Sequence, residues 1–127
     1  MKGKVVYSQN LFLEKMLGFI RRHQNEPFFL FHSTQLPHGP VAIPQIHLEV
    51  KDNKELSELE KEYASMVKML DEHIGILLAE LEKLGILDNT IIVFASDNGH
   101  ETYYNVENRC RKSPNRDMGG KSFDAWE

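Results

Sequence analysis

The residues best suited to chemistry in this sequence are Asp97 and Asn98, which directly follow an apolar run from Thr90 to Ala95. The run is typical of a buried β-strand, and ligand sites in α/β proteins gather at the carboxyl ends of strands. Carboxylate and carboxamide oxygens are hard ligands that suit calcium or magnesium. An Asx-Gly sequence after a strand is also ordinary turn chemistry, so these residues alone predict either a metal site or a turn.

A second group with useful chemistry is His38, in the motif Pro37-His38-Gly39-Pro40. The motif follows a run from Phe28 to His32, which is typical of a strand buried on both faces. Imidazole titrates near neutral pH, so His38 could exchange a proton with a substrate. Between two prolines, His38 could equally be a rigid turn residue.

The elements that must position these groups alternate between helices and strands. Apolar residues at steps of three and four predict a first helix that Asn10 caps and that ends near His23. A long loop from Ser33 to about Asp52 follows the first strand. The same apolar spacing then predicts a helix from about Lys54 to Leu84, which Gly85 ends as a C-terminal cap.

The order helix, strand, helix, strand predicts an α/β fold with two parallel strands joined by a right-handed crossover. The carboxyl ends of parallel strands point the same way, so the loops carrying His38 and Asp97 should emerge at one edge of the sheet. Two strands of buried composition cannot complete a parallel sheet, because both would leave uncovered edges. We therefore expect residues 1–127 to be one partial domain of a larger α/β fold, with no second domain.

Composition and charge indicate a folded chain of ordinary polarity. The 127 residues are 41% hydrophobic and 27% charged, which argues against disorder, and the net charge of −4 argues against a nucleic-acid partner. Cys110 is the only cysteine, so no disulfide within the chain is possible. No apolar segment approaches the roughly 20 residues of a membrane span, and the first residues lack the apolar region of a secretory signal peptide. We expect no membrane partner and no export signal in this sequence.

Several signatures occur in one order along nearly the whole chain. They are the helix from Tyr7 to Ile20, the strand and histidine loop from Pro27 to Pro40, the helix segment Tyr63-Ala64-Ser65-Met66-Val67, the run from Asp88 to Gly99, and Gly119-Gly120-Lys121 ahead of Trp126. Together they resemble the sulfatase family, which lies within the alkaline-phosphatase-like superfamily. The resemblance implies a fragment of a parallel-sheet sandwich followed by a long active-site loop. It also implies a sulfuric ester hydrolase.

The resemblance assigns roles to the matched positions. Asp97 and Asn98 resemble two ligands of a single divalent cation, usually Ca²⁺. His38 resembles the histidine that contacts the substrate sulfate and helps to protonate the departing alcohol. Lys121 resembles the lysine that binds oxygens of the sulfate and of the leaving group. His100, beside the metal motif, could line the substrate pocket.

The nucleophile of the family is absent from this sequence. Sulfatases attack with a formylglycine made from the first residue of a Cys/Ser-x-Pro-Ser-Arg motif, and the segment after Cys110 has similar letters in another order. The resemblance implies formylglycine in the parent enzyme, while this chain alone is expected to be inactive. It further implies a sulfate-ester small molecule or a sulfated carbohydrate as substrate, and a periplasmic, secreted or lysosomal location.

Two other functions fit the same residues. A phosphodiesterase or phosphonate hydrolase of the same superfamily would use similar cation and anion-binding groups, although Asn98 favours a sulfatase because two-zinc phosphatases more often have histidine there. A non-catalytic, truncated remnant would keep the fold segment without the reaction. His32, His47 and His73 have no assigned chemistry and are expected to be structural.

Overall fold

The computed structural model describes residues 6–96. The chain divides into two units, Met1–Thr90 and Ile91–Glu127. The described part of the first unit is helical, with α1 (Ser8–His23), α2 (Leu48–Lys51), α3 (Glu58–Lys83) and a 3₁₀-helix (Leu87–Asn89). In the second unit, residues 91–96 are described and have no regular secondary structure.

Helix α1 ends at His23, as its sequence predicts, but the prediction of its start is wrong. Tyr7, with extended backbone angles, is the N-cap residue, and no side chain caps the first turn. Asn10 lies inside the helix, and its backbone N–H donates to the Tyr7 carbonyl at 3.1 Å. The last turn carries Arg21, Arg22 and His23, whose positive charge suits the negative end of the helix dipole.

Helix α3 begins later than predicted because Ser57 and Glu60 form a capping box. The Ser57 hydroxyl accepts from the Glu60 N–H at 3.3 Å, and the Glu60 carboxylate accepts from the Ser57 N–H at 2.7 Å. These reciprocal bonds satisfy backbone donors that a helix start otherwise leaves unpaired. The helix start is therefore fixed at Glu58 rather than near Lys54.

The C-terminal cap at Gly85 is confirmed. Gly85 has a φ of 70°, a left-handed conformation that favours glycine. The Gly85 N–H donates to the Glu82 carbonyl at 2.9 Å, and the Ile86 N–H donates to the Leu81 carbonyl at 3.1 Å. This pair of bonds is a Schellman motif, and it ends α3 so that the chain turns back over the core.

The capping box gives a test of how α3 is anchored. Because Ser57→Ala removes the hydroxyl that accepts from Glu60, we expect the free energy of unfolding to fall by about 1 kcal/mol. Urea denaturation followed by circular dichroism measures this change. The matched control is Ser33→Ala, an exposed serine outside the helices, which should leave the denaturation midpoint unchanged. Equal midpoints for Ser57→Ala and the wild type would contradict this assignment.

The core of the first unit lies between α1 and α3. Met16 and Ile20 of α1 pack with Leu81 of α3, and all three side chains are buried. Phe28 and Leu30, which follow α1, pack against this cluster, and the Phe28 ring meets Phe19 edge-on with a centroid separation of 5.9 Å. The apolar run after α1 therefore contributes one of its faces to the helical core.

The predicted α/β fold with two parallel strands is contradicted by the structure, because no residue between 6 and 96 lies in a β-strand. Segments 28–32 and 90–95, predicted as strands, have no ladder partner in the described part of the chain. Their outer faces are exposed, with Phe29 at 87% and Phe31 at 80% in the first segment and Ile91 at 94% in the second. A strand requires hydrogen-bonded neighbours, and apolar composition alone supplies none. The topological reason for placing His38 beside Asp97 is therefore lost.

A partly buried ion pair joins the two long helices. Arg21 Nε of α1 donates to Glu80 Oε1 of α3 at 2.6 Å, and the Glu80 side chain is largely buried. The hydrogen bond from Arg21, aided by its positive charge, holds the pKa of Glu80 below its ordinary value of 4.5. The carboxylate is therefore stabilised in its ionised form when the chain is folded.

This ion pair predicts a specific acid sensitivity. Since the folded-state pKa of Glu80 is depressed, its contribution to stability is present above the ordinary value of 4.5 and is lost as pH falls through the folded value. Glu80→Gln should therefore lower stability at neutral pH and flatten the loss of stability below pH 4.5. Thermal melts from pH 7 to pH 3 measure this effect. Glu82→Gln, an exposed neighbour on the same helix, should retain the wild-type pH profile, and identical profiles for all three proteins would refute the linkage.

Candidate functional site

His38 lies on the surface of the loop between α1 and α2. Its backbone N–H donates to the Gln35 carbonyl at 2.7 Å, and the flanking Leu36–Pro37 and Gly39–Pro40 bonds are cis. The ring nitrogen Nδ1 contacts the Gly39 carbonyl. A carbonyl only accepts, so Nδ1 carries a hydrogen and donates it. Nε2, which has no hydrogen-bond partner among residues 6–96, can then donate when the ring is charged and accept when it is neutral.

A groove of about 460 Å³ opens beside His38. Its walls are the start of α1 and the loop around residues 34–42, and Met66 of α3 lines it as well. Tyr7 Oη donates to the Ala42 carbonyl at 2.8 Å, and Gln9 Nε2 donates to Gln35 Oε1 at 3.0 Å. These two bonds fix the loop to α1 and so hold His38 at the groove.

The far end of the same loop is held to α3 through His47. Its backbone N–H donates to Ser65 Oγ at 2.8 Å, and Ser65 in turn donates to the Lys61 carbonyl at 2.6 Å. The His47 ring caps α2, because Nδ1 accepts from the Glu49 N–H at 3.2 Å. Nε2 therefore carries the hydrogen and donates to Glu72 Oε1 at 3.1 Å. These contacts give His47 a structural role, because they hold the end of the loop against α3.

His73, also expected to be structural, is buried on α3. Desolvation by this burial lowers the pKa of His73, partly offset by the negative charge of Glu72 and reinforced by the positive charge that His32 carries when protonated. His73 is therefore held in its neutral form over a wider pH range than a free imidazole. His32 itself lines a second groove of about 290 Å³ that includes Phe12 and Phe19.

The other predicted site residues lie outside the described part of the chain. Asp97 and Asn98, the predicted metal ligands, follow the last described residue, and His100 and Lys121 lie further along the sequence. Within residues 6–96, no group of three or more His, Cys, Asp or Glu side chains could hold a metal ion. The helices of this same stretch include none that is long and apolar enough to cross a membrane.

Comparison with known protein families shows to which family this chain belongs. The family model described as Sulfatase matches residues 3–127. The chain belongs to the sulfatase family. This confirms the resemblance in the sequence, and it covers the histidine loop, the long helix and the segment that contains Asp97.

Individual sulfatases show the same similarity. The chain is 34% identical to N-acetylgalactosamine-6-sulfatase of Rattus norvegicus over 91 residues, which are 70% of this chain and 16% of the relative. It is 33% identical over 90 residues to N-acetylgalactosamine-6-O-sulfatase of Bacteroides thetaiotaomicron, covering 71% of this chain and 16% of the relative. Arylsulfatase J of Mus musculus is 28% identical over 95 residues, 74% of this chain and 16% of the relative. No solved structure matches the chain significantly.

Proposed function

We propose that this chain supplies part of the active site of a sulfuric ester hydrolase that cleaves sulfate monoesters. The observation that carries the proposal is the exposed imidazole of His38, held at the edge of a groove in a chain of the sulfatase family. With Nδ1–H bonded to the Gly39 carbonyl, Nε2 is the atom that faces a substrate. A charged imidazole there can donate a hydrogen bond to a sulfate oxygen and protonate the departing alcohol.

Asp97 and Asn98 are proposed as ligands of a divalent cation, Ca²⁺ in the first instance. Their carboxylate and amide oxygens are the donors that Ca²⁺ prefers. A bound cation would balance negative charge on the sulfate oxygens. Two residues fill only part of a shell of about six to eight oxygens, so the affinity of this chain for Ca²⁺ should be low.

Lys121 is proposed to bind oxygens of the sulfate and of the leaving group as a compact positive charge. His100 is proposed to line the same substrate pocket. Neither side chain replaces the missing nucleophile, because the sequence contains no Cys/Ser-x-Pro-Ser-Arg motif. Covalent catalysis through formylglycine therefore has no residue in this chain to support it.

The chain alone is accordingly proposed to be inactive. The test is a sulfatase assay on the purified protein, with an aryl sulfate and N-acetylgalactosamine 6-sulfate as substrates and with Ca²⁺ added. N-acetylgalactosamine 6-sulfate is included because two of the relatives are named for that activity. We expect no turnover above background, and cation-dependent multiple turnovers would refute the proposed inactivity.

A further inference from the structure

We propose that Gln9 is a positioning residue for His38 and that it acts through Gln35. Gln9 lies in the first turn of α1, whereas His38 lies on the loop between α1 and α2. The inference rests on the proposed function, because it takes His38 as the group that meets the sulfate. It adds a second residue, which controls where the imidazole lies without taking part in the reaction.

Gln9 is a polar side chain in a buried position, with 4% of its surface exposed. A buried carboxamide is costly unless it is hydrogen-bonded, because it has lost its bonds to water. Here the Gln9 Nε2 donates to Gln35 Oε1 at 3.0 Å. Gln35 itself is exposed, so burial does not hold its side chain in place. The bond to Gln9 therefore ties an exposed residue of the loop to a rigid helix.

Gln35 is bonded in turn to His38 through the backbone. The Gln35 carbonyl accepts from the His38 N–H at 2.7 Å, which closes a four-residue turn. Inside this turn, the Leu36 N–H donates to Thr34 Oγ1 at 3.2 Å, and the Leu36 side chain is buried. The first residue of the turn is thus held by Gln9, and its last residue is His38.

The orientation of the His38 ring depends on this turn. Nδ1 contacts the carbonyl of the next residue, Gly39, so the ring hydrogen is held on Nδ1 and Nε2 is left for a ligand. Without Gln9, the turn can adopt other conformations, and the hydrogen is then shared between the two ring nitrogens. Because fixing a group in advance lowers the entropy lost on binding, the loss of Gln9 should also weaken the contact with sulfate.

Nuclear magnetic resonance of the full 127-residue chain tests this role, with inorganic sulfate as the probe. The nitrogen chemical shifts of the neutral His38 ring report which nitrogen carries the hydrogen. We expect Gln9→Leu to lower the fraction of rings with the hydrogen on Nδ1. It should also weaken sulfate binding at His38 roughly three- to tenfold, the effect of losing one hydrogen bond.

A second variant tests whether Gln9 acts through Gln35. Gln35→Leu removes the acceptor of the same bond, so it should have the same two effects as Gln9→Leu. The double variant should lose no more sulfate affinity than either single variant, since all three lack one shared bond. Additive losses would overturn the proposed route through Gln35. Because Gln35 is exposed, Gln35→Leu keeps the test valid should Gln9→Leu not fold.

The matched control is Gln24→Leu, at the other end of α1. Gln24 also donates a hydrogen bond, from Nε2 to the Arg21 carbonyl at 2.8 Å. This variant should keep the wild-type position of the ring hydrogen and the wild-type sulfate affinity, whatever its melting temperature.

The outcomes separate this role from the proposed function. An unchanged ring hydrogen in both Gln9→Leu and Gln35→Leu would show that the bond only stabilises the fold, and would overturn the proposal. If sulfate leaves His38 of the wild type unshifted, the proposed function fails. A ring hydrogen displaced in Gln9→Leu but not in Gln24→Leu would even then support Gln9 as a positioning residue.

Discussion

Leu81→Ala is expected to lower the free energy of unfolding of the first unit by about 2–5 kcal/mol. Leu81 is 2% exposed and lies against Met16 and Ile20 at the contact between α1 and α3. Truncation to alanine removes buried apolar surface and leaves a cavity, and the core is small. A loss of this size is comparable to the whole stability of a small domain.

Urea denaturation followed by far-ultraviolet circular dichroism measures this loss. The control is Leu78→Ala on the same helix, because Leu78 is 37% exposed and has the same side chain. Its denaturation midpoint should change much less than that of Leu81→Ala. Equal shifts for the two variants would show that Leu81 does not form the core described between the two helices.

Asp97→Ala is expected to raise the Mn²⁺ concentration needed for half-maximal paramagnetic broadening near residue 98 by on the order of tenfold. Mn²⁺ prefers the same oxygen donors as Ca²⁺ and reports weak binding through broadening. The proposed site has one carboxylate, and removing it leaves the Asn98 amide as the remaining proposed ligand. The loss of the charged ligand should therefore dominate the change in affinity.

The matched control for the metal site is Asp88→Ala. Asp88 is an exposed carboxylate that precedes the same apolar run, so it tests whether Mn²⁺ binds any acidic residue of this region. We expect wild-type broadening in Asp88→Ala. Unchanged broadening in Asp97→Ala would contradict the role of Asp97 as a metal ligand.

The helices could be predicted from the sequence because their signals are local. Apolar residues at three- and four-residue steps mark α1 and α3, and Gly85 marks the end of α3. The start of α3 was also readable, since Ser57 and Glu60 have the spacing of a capping box. The spacing of apolar residues does not show at which residue a helix begins, whereas the capping box does. The prediction from spacing alone therefore placed the start of α3 too early, near Lys54.

The prediction of two strands is wrong because a strand depends on a hydrogen-bonded neighbour, which the composition of a segment does not reveal. Phe29 and Phe31 alternate with Phe28 and Leu30 as a strand would, and the second pair does pack on the core. Phe29 and Phe31 stay largely exposed, at 87% and 80%. The prediction that both faces of this segment would be buried is therefore wrong, because only one face packs on the core.

Only part of the candidate site could be predicted from the sequence. His38 was singled out from its motif, and the structure places it on an exposed loop. The groove beside it was not predicted, because the bond between Gln9 and Gln35 joins residues 26 positions apart and no short motif encodes it. Asp97, Asn98, His100 and Lys121 stay predictions, since they lie outside the described residues.

The central claim is that this chain holds a sulfate-binding part of a sulfatase site at His38. The most direct test is a sulfate titration of the full chain with Ca²⁺ present, followed at the ring nitrogens of each histidine. The account predicts a saturable shift at His38 Nε2 that is absent at His23, which is paired with Glu26 on the last turn of α1. Equal shifts at the two rings, or no shift at His38, would contradict it.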